Sequence, residues 1–569
     1  MGSERISIPS VDLADWFAPS PRIGAIFRML VSSRVLWRLA YGTVALFFTW
    51  IVAHYYIPGK GFTYLIEFGE MNHRVFLPEV KAVNHFEVPG SHGYDGQWYA
   101  QIAVRPHVGD PELNAAVDLL PYRARRILFA WTAWAAGFGD PIRVLNAYAL
   151  QNVICWYILA ALLMRWFPPQ SFENFFRWGT LLFSFGLVFS MRASLVDGPS
   201  LLLVALGMAL IETKRPFWAA LVLGVSGLGK DTSVLSASAL TIPNSRRPRA
   251  WILWLSQVVM ILSPIVLWVI CLEKWIGGGN SVGTNNFSFF GQAFYHKALD
   301  ATATLLAEGR TPQSVALFDF AVLLGLLAQF LFFLVHIRWR DSWWRLGASY
   351  AALMVFLGDS VWADYPSAAA RVLLPMTLAF NILVPRGRWW PVVLLIGNLG
   401  VIGSADFLRS TLPDTISDCY VVEGPWALRF SSRGNFGVAA EYGSQTWWSP
   451  ERERIPGKRT EDYWRWSSGD SSISIHNPQP FGIVADVSFG LATVDPRTVT
   501  VTRGDGVVWA GPLKPDRDNN AWIPGLVLEP GDTVLRFHSD RPAVRPEMGE
   551  HRLFAFSVRD LKIVLVGKH

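Results

Sequence analysis

The stretch HGYDGQWYAQIA, residues 92–103, sets one carboxylate, Asp95, among a His, a Gln and three aromatics within its first eight residues, beside apolar runs. Asp95 has company. Arg123, Arg126, Arg192, Asp197, Lys230, Asp231, Asp359, Asp364 and Arg371 all fall inside apolar runs or at their edges. Ionisable side chains are costly at such positions, so each is a functional candidate. Arg grips a phosphate or pyrophosphate through two parallel hydrogen bonds, and Lys does so as a point charge. A carboxylate among them can take a proton from an attacking hydroxyl. Asp95 is the candidate for that task. Gly96 lets backbone approach closely, and Tyr94, Trp98 and Tyr99 form a wall that would raise its pKa by desolvation. The competing reading is an N-cap for a helix starting at Gly96.

The remaining candidates are taken as substrate- or phosphate-binding: His92, Tyr94, Gln97, Arg123, Arg126, Arg192, Asp197, Lys230, Asp231 and Arg371. In YRARRIL (122–128), Arg123 and Arg126 share a helix face and read either as a phosphate clamp or as snorkelling anchors. GVSGLGKDTS (224–233) nearly fits the phosphate-loop pattern. However, Asp231 stands where Ser or Thr belongs and no strand precedes it, so a nucleotide loop is rejected. Lys230 reads as a phosphate ligand in a membrane cavity, or as the partner of Asp231 at a helix break. Arg371 has a salt bridge to Asp359 or Asp364 as its alternative. No zinc-spaced Cys/His set is present, and His73, His85, His92 and His107 fit no strong metal motif. A divalent cation, Mg or Mn, stays open as a cofactor, with Glu67 and Glu70 the nearest approach to a carboxylate pair.

These residues need elements to position them. The 569 residues are 51% hydrophobic and 17% charged, against about 25% charged in soluble proteins. Apolar runs near membrane-spanning length recur at 36–57, 144–166, 174–191, 197–213, 251–272, 313–336, 345–362, 367–384 and 389–404. Two more, 126–139 and 217–242, are short or interrupted and read as re-entrant or interfacial pieces lining a cavity. The chain is therefore expected to be a polytopic α-helical membrane protein of about 9–11 membrane helices. The first run reads as a retained anchor. Arg22, Arg28, Arg34 and Arg38 place the N-terminus in the cytoplasm. Lys214–Arg215, SRRPR (245–249), HIRWR (336–340) and PRGR (385–388) follow on the same side. The long loop 58–125 and the candidate site then face the extracytoplasmic side of an inner or plasma membrane. The net charge of +6 does not indicate nucleic acid, because the Arg residues sit in these short loops. Cys155, Cys271 and Cys419 are too scattered for a disulfide framework.

From about 420 the pattern changes to alternation, as in GIVADVSF (482–489) and RTVTVTRGDGVVWAG (497–511), with turns at GDG and PGD. The domains expected are a cytoplasmic segment 1–35, a transmembrane domain 36–404, and an extracytoplasmic jelly-roll-like β-sandwich 405–569. Trp447, Trp448, Trp464, Trp466, Trp509 and Trp522 read either as a glycan platform or as sandwich core.

Taken in order, YDGQWYAQIA, YRARRIL, SLVDGPSLLLVAL (194–206), GLGKDTS and ARVLLP resemble a YDGQ-type family of bacterial membrane proteins in the GT-C glycosyltransferase superfamily. They are distantly similar to GPI mannosyltransferases. The resemblance covers roughly residues 60–385. It implies transfer of a sugar from a polyprenyl-phosphate donor to a cell-envelope glycan or lipid acceptor. Asp95 matches the acidic residue of the first outer loop, Arg123 and Arg126 the paired Arg positions, Lys230 the helix-break Lys, and Arg371 the Arg of ARVLLP. Asp231 stands where the family has Glu, one methylene longer. Two other functions fit the residues: a transporter or flippase for a lipid-linked or anionic substrate, and a non-catalytic glycan-binding membrane scaffold.

Overall fold

The computed structural model describes residues 34–57, 59–88, 91–243, 247–277, 286–308, 315–362, 368–409, 419–423, 438–443, 446–448, 450–453, 462–515, 519–545 and 552–569. Arg22, Arg28, Asp364 and the first two residues of SRRPR lie outside these. The chain divides into two compact units. One holds 75–83 and Asp95–Arg409 with the segment up to Ile51. The other holds Val52–Arg74, Asn84–Tyr94 and Ser410–His569. The second unit thus takes in two pieces of the long loop that precedes Asp95.

The first unit is helical. Its elements are α1 (Arg34–Ala53), α2 (Gly96–Val104), α3 (Leu128–Ala136) and α4 (Pro141–Leu163). Then come α5 (Phe172–Leu182), α6 (Phe185–Arg192), α7 (Asp197–Glu212) and α8 (Pro216–Gly229). There follow α9 (Pro248–Ile276), α10 (Gln292–Glu308), α11 (Val315–Val335) and α12 (Ser342–Met354). The last are α13 (Ala368–Val372), α14 (Leu374–Leu383), α15 (Trp390–Gly397) and α16 (Val401–Arg409). Among the described residues four helices are long and apolar enough to cross a membrane: α1, α4, α9 and Leu317–Val335 of α11. Along α9, Ile252, Leu253, Leu255, Val259, Val266 and Leu267 are exposed. Water penalises such a surface and hydrocarbon does not.

Several expected spans are divided. The run 174–191 breaks at Phe183–Ser184 between α5 and α6, and 367–384 breaks at Leu373 between α13 and α14. Pro375 stands in the first turn of α14, where its missing N–H costs nothing but ends the helix before it. The run 389–404 breaks after Asn398, whose amide turns back to the Leu394 carbonyl and across to Asn381. The run 217–242 is interrupted as expected. Lys230 is extended (φ −153°, ψ 123°), and a 3-10 helix, Asp231–Ala239, continues from it.

The second unit is a two-sheet sandwich with a short parallel pair, β1 (Phe68–Gly69) and β2 (Glu87–Val88). The remaining strands are β3 (Tyr420–Glu423), β4 (Ala439–Tyr442), β5 (Glu451–Glu453), β6 (Asp462–Trp466), β7 (Ser471–Asn477) and β8 (Ile483–Thr493). They continue with β9 (Arg497–Arg503), β10 (Gly506–Leu513), β11 (Asn519–Leu528), β12 (Gly531–Ser539) and β13 (Phe556–Lys568). One sheet runs β10-β9-β12-β7-β4 and the other β11-β8-β13-β6-β5. β12 lies between β7 and β9, and β13 between β6 and β8, as in a jelly roll. Alternation in β8 turns Ala485, Val487, Phe489 and Leu491 inward to meet Val499, Val501, Leu535 and Phe537 of the facing sheet. Trp447 belongs to this core, its indole N–H donating to the Ser472 carbonyl, while Trp522 is exposed.

Candidate active site

A cavity of about 570 Å³ lies within the helical unit, inside the roughly 300–1,000 Å³ range of small-ligand sites. Among its described lining residues are five cations, Arg123, Arg125, Arg126, Lys230 and Arg371, and three carboxylates, Asp95, Asp197 and Asp231. Two positive charges are therefore in excess. Seven of the eleven sequence candidates come together here.

Asp95 immediately precedes α2, but its side chain does not cap that helix. The carboxylate instead accepts from Arg123 Nη2 at 2.8 Å. The same guanidinium donates to Asp118 through Nε and Nη2, at 3.0 and 2.8 Å. The Asp95 side chain keeps 35% exposure while Arg123 keeps 9%, so the acid faces the cavity and the cation stands behind it. Burial pushes the Asp95 carboxyl up, but Arg123 beside it, with Arg371 and Arg126 beyond, holds it below the usual carboxylate value. The expected aromatic desolvation is therefore outweighed by charge.

Arg126 does not act as a surface anchor. It donates to the hydroxyls of Tyr99 (2.7 Å) and Tyr122 (2.9 Å) and lies 3.5 Å from Asp231. Lys230 pairs with Asp197 rather than with Asp231, and Arg371 donates to the other Asp197 oxygen at 3.3 Å. Asp197 thus gathers two cations from α13 and the end of α8 at the start of α7.

Local chemistry fixes both turns. Before α7, Asn152 donates to the Leu195 carbonyl and the Gly198 N–H to Ser190 Oγ, each at 2.8 Å. A Cβ at Gly198 would lie only 3.0 Å from Asn152 Oδ1. After Lys230, Arg345 donates to the carbonyls of Ser238, Ala239 and Leu240, and Tyr350 Oη to that of Thr232. The carbonyls at the end of the 3-10 helix are thereby satisfied inside the protein.

The other candidates lie elsewhere. Arg192 and Gln97 are buried but do not line the cavity, and His92 and Tyr94 belong to the second unit. Asp359 is exposed and stands 3.9 Å from His296. Residues not singled out from the sequence also line the cavity: Tyr122, Arg125, Thr232, Asn286 and Ser360. Tyr122 precedes Arg126 by four positions, a helical spacing that marks it as a neighbour. Arg125 forms no ion pair among the described residues. No group of three or more His, Cys, Asp or Glu side chains among those residues is arranged to hold a metal ion.

No family model matches the sequence, and no curated protein matches it significantly. Among solved structures, the cryo-EM structure of arabinosyltransferase EmbB from Mycobacterium smegmatis is similar at 10% identity and a TM-score of 0.28. The match covers 86% of this chain and 63% of that one, so this chain spans less than two thirds of its length. A likeness of that degree does not establish a shared fold.

Proposed function

We propose that the protein is a membrane glycosyltransferase of GT-C type. It moves a sugar from a polyprenyl-phosphate donor to a cell-envelope glycan or lipid acceptor on the extracytoplasmic face, with the N-terminus in the cytoplasm. The observation that carries this reading is a part-exposed carboxylate, Asp95, backed by Arg123 and facing a cavity with two cations in excess. In the reaction the acceptor hydroxyl attacks the anomeric carbon. The bond from that carbon to the phosphate oxygen breaks, the acceptor proton passes to Asp95, and polyprenyl phosphate leaves. The donor is a phosphodiester with one negative charge, and the leaving group carries about two. Cations around the cavity therefore stabilise the charge that grows as the bond breaks. One direct displacement with one base gives inversion at the anomeric carbon. The motifs that resemble the superfamily support this reading, since charged residues from all five of them line one cavity: Asp95, Arg123, Arg126, Asp197, Lys230, Asp231 and Arg371.

The test uses wild type and Asp95→Asn in nanodiscs with radiolabelled polyprenyl-phosphate sugars and extracted envelope glycans. Wild type should transfer label. Asp95→Asn should bind donor yet lose about 10²–10⁴-fold in turnover, the usual worth of a general base. Donor binding without transfer by either form, together with movement of donor across sealed vesicles, would replace this reading with a flippase.

A further inference from the structure

The sandwich unit contains a second cavity of about 420 Å³, built from segments far apart in sequence. One wall is β4 with the neighbouring strand β7, and the other comes from residues within 57–73 and 84–87. The turn at Ile57–Gly61 closes on β7: Gly59, at φ +79°, brings its backbone so near His476 that a Cβ would sit 2.8 Å from the ring nitrogen.

Four carboxylates line this cavity, each beside a basic group. Glu70 accepts from Arg465 at 2.9 and 3.4 Å. Glu87 meets His73 at 2.7 Å and His85 at 3.1 Å. Asp532 meets His476 at 2.7 Å, and Glu441 lies 3.6 Å from Lys60. Burial pushes Glu87 up, but the two imidazoles offset this and keep it below its ordinary value. Arg465 is 2% exposed, and its Nε–H has no acceptor among the described residues.

With only Lys60 and Arg465 as permanent cations, the lining is net negative, the reverse of the first cavity. An anionic ligand such as a lipid phosphate would meet four carboxylates. A strongly cationic one would have to displace partners those carboxylates already hold. What the cavity offers is paired acceptors and donors at close spacing, with Phe86 and Tyr442 as apolar surface. That is the complement of vicinal hydroxyls on an uncharged ring. We infer that this cavity of the sandwich unit is a binding site for an uncharged carbohydrate, separate from the site around Asp95. The inference rests on this cavity alone and does not require the transferase reading.

The test is a glycan array of neutral, amino-sugar and uronate oligosaccharides, probed with the labelled full chain in nanodiscs, followed by titration of the glycans bound. Binding should be confined to neutral glycans. Glu441→Gln and Asp532→Asn, at largely exposed side chains, should each weaken it about tenfold, as for one lost charge-assisted hydrogen bond. Their thermal transition should stay in place. Asp95→Asn should bind as wild type does. Four results would overturn the inference: no neutral glycan bound, charged glycans preferred, both cavity variants binding unchanged, or binding lost in Asp95→Asn. Glycan bound by a chain that transfers no sugar would leave this site standing and remove the transferase reading.

Discussion

Asp95 and Arg123 define each other's state. The guanidinium is shared between Asp95 and Asp118, so it is held in place whether or not substrate is bound. Its charge keeps the Asp95 carboxyl below the ordinary value, which leaves it ionised at neutral pH and makes it a weak base that takes its proton late. The sign of the pH effect follows. Activity that needs ionised Asp95 should persist as pH falls, with an acid limb below about 4, the ordinary carboxylate value. Arg123→Gln removes the main charge opposing burial, so the Asp95 pKa should rise and the acid limb should move to higher pH. Turnover against pH for the two proteins tests this. A limb that stays put in Arg123→Gln would mean that another group sets it.

At the scale of elements, the two breaks that carry charge into the cavity were legible, because Asp197 and Lys230–Asp231 interrupt apolar runs. The partners were not. Lys230 reads in sequence as the partner of adjacent Asp231, yet it pairs with Asp197, thirty-three positions earlier. Only packing of α7 against α8 makes that pair. The competing reading of Asp95 as a helix cap fails for a similar reason, since Arg123 holds the carboxylate. His92 and Tyr94 sit beside Asp95 in sequence but fall in the other unit, because the chain passes between units at this point. The long runs α1, α4 and α9 were plain from hydropathy, whereas the division at Asn398 depends on an amide that finds Asn381, seventeen positions earlier. The 3-10 helix after Lys230 illustrates the cost of such a break. Arg345 alone meets its last two carbonyls, Ser238 and Ala239, and that of Leu240 just beyond. Arg345→Met should therefore destabilise the helical unit by about 1–3 kcal/mol, the penalty for buried groups left unsatisfied. It should lower the thermal transition in detergent and reduce turnover as Lys230 loses its position. An unchanged transition would show that water reaches these carbonyls.

At the scale of the whole molecule, the sandwich does not begin where the alternating pattern begins. Segments 52–74 and 84–94 belong to its unit, although they precede Asp95 by sequence and read there as part of a loop. The chemical link is Glu70 with Arg465, whose side chain keeps 3% exposure on β6. Tyr442 lies under the guanidinium, 5.1 Å from ring centroid to carbon. Burial lowers the Arg465 pKa, but Glu70 more than restores it, so the charge persists and needs its partner. Removing one member of a buried pair costs about 3–5 kcal/mol, because the other charge stays desolvated. Residues 410–569 expressed alone lack Glu70 and should unfold at lower temperature than the same unit in the full chain. Glu70→Gln in the full chain should reproduce most of that loss, and Arg465→Met with Glu70→Gln should recover part of it by removing the stranded charge. Calorimetry of the four proteins decides the matter: equal stability for the isolated segment and the full-chain unit would mean that the loop segments rest on the sandwich without holding it together.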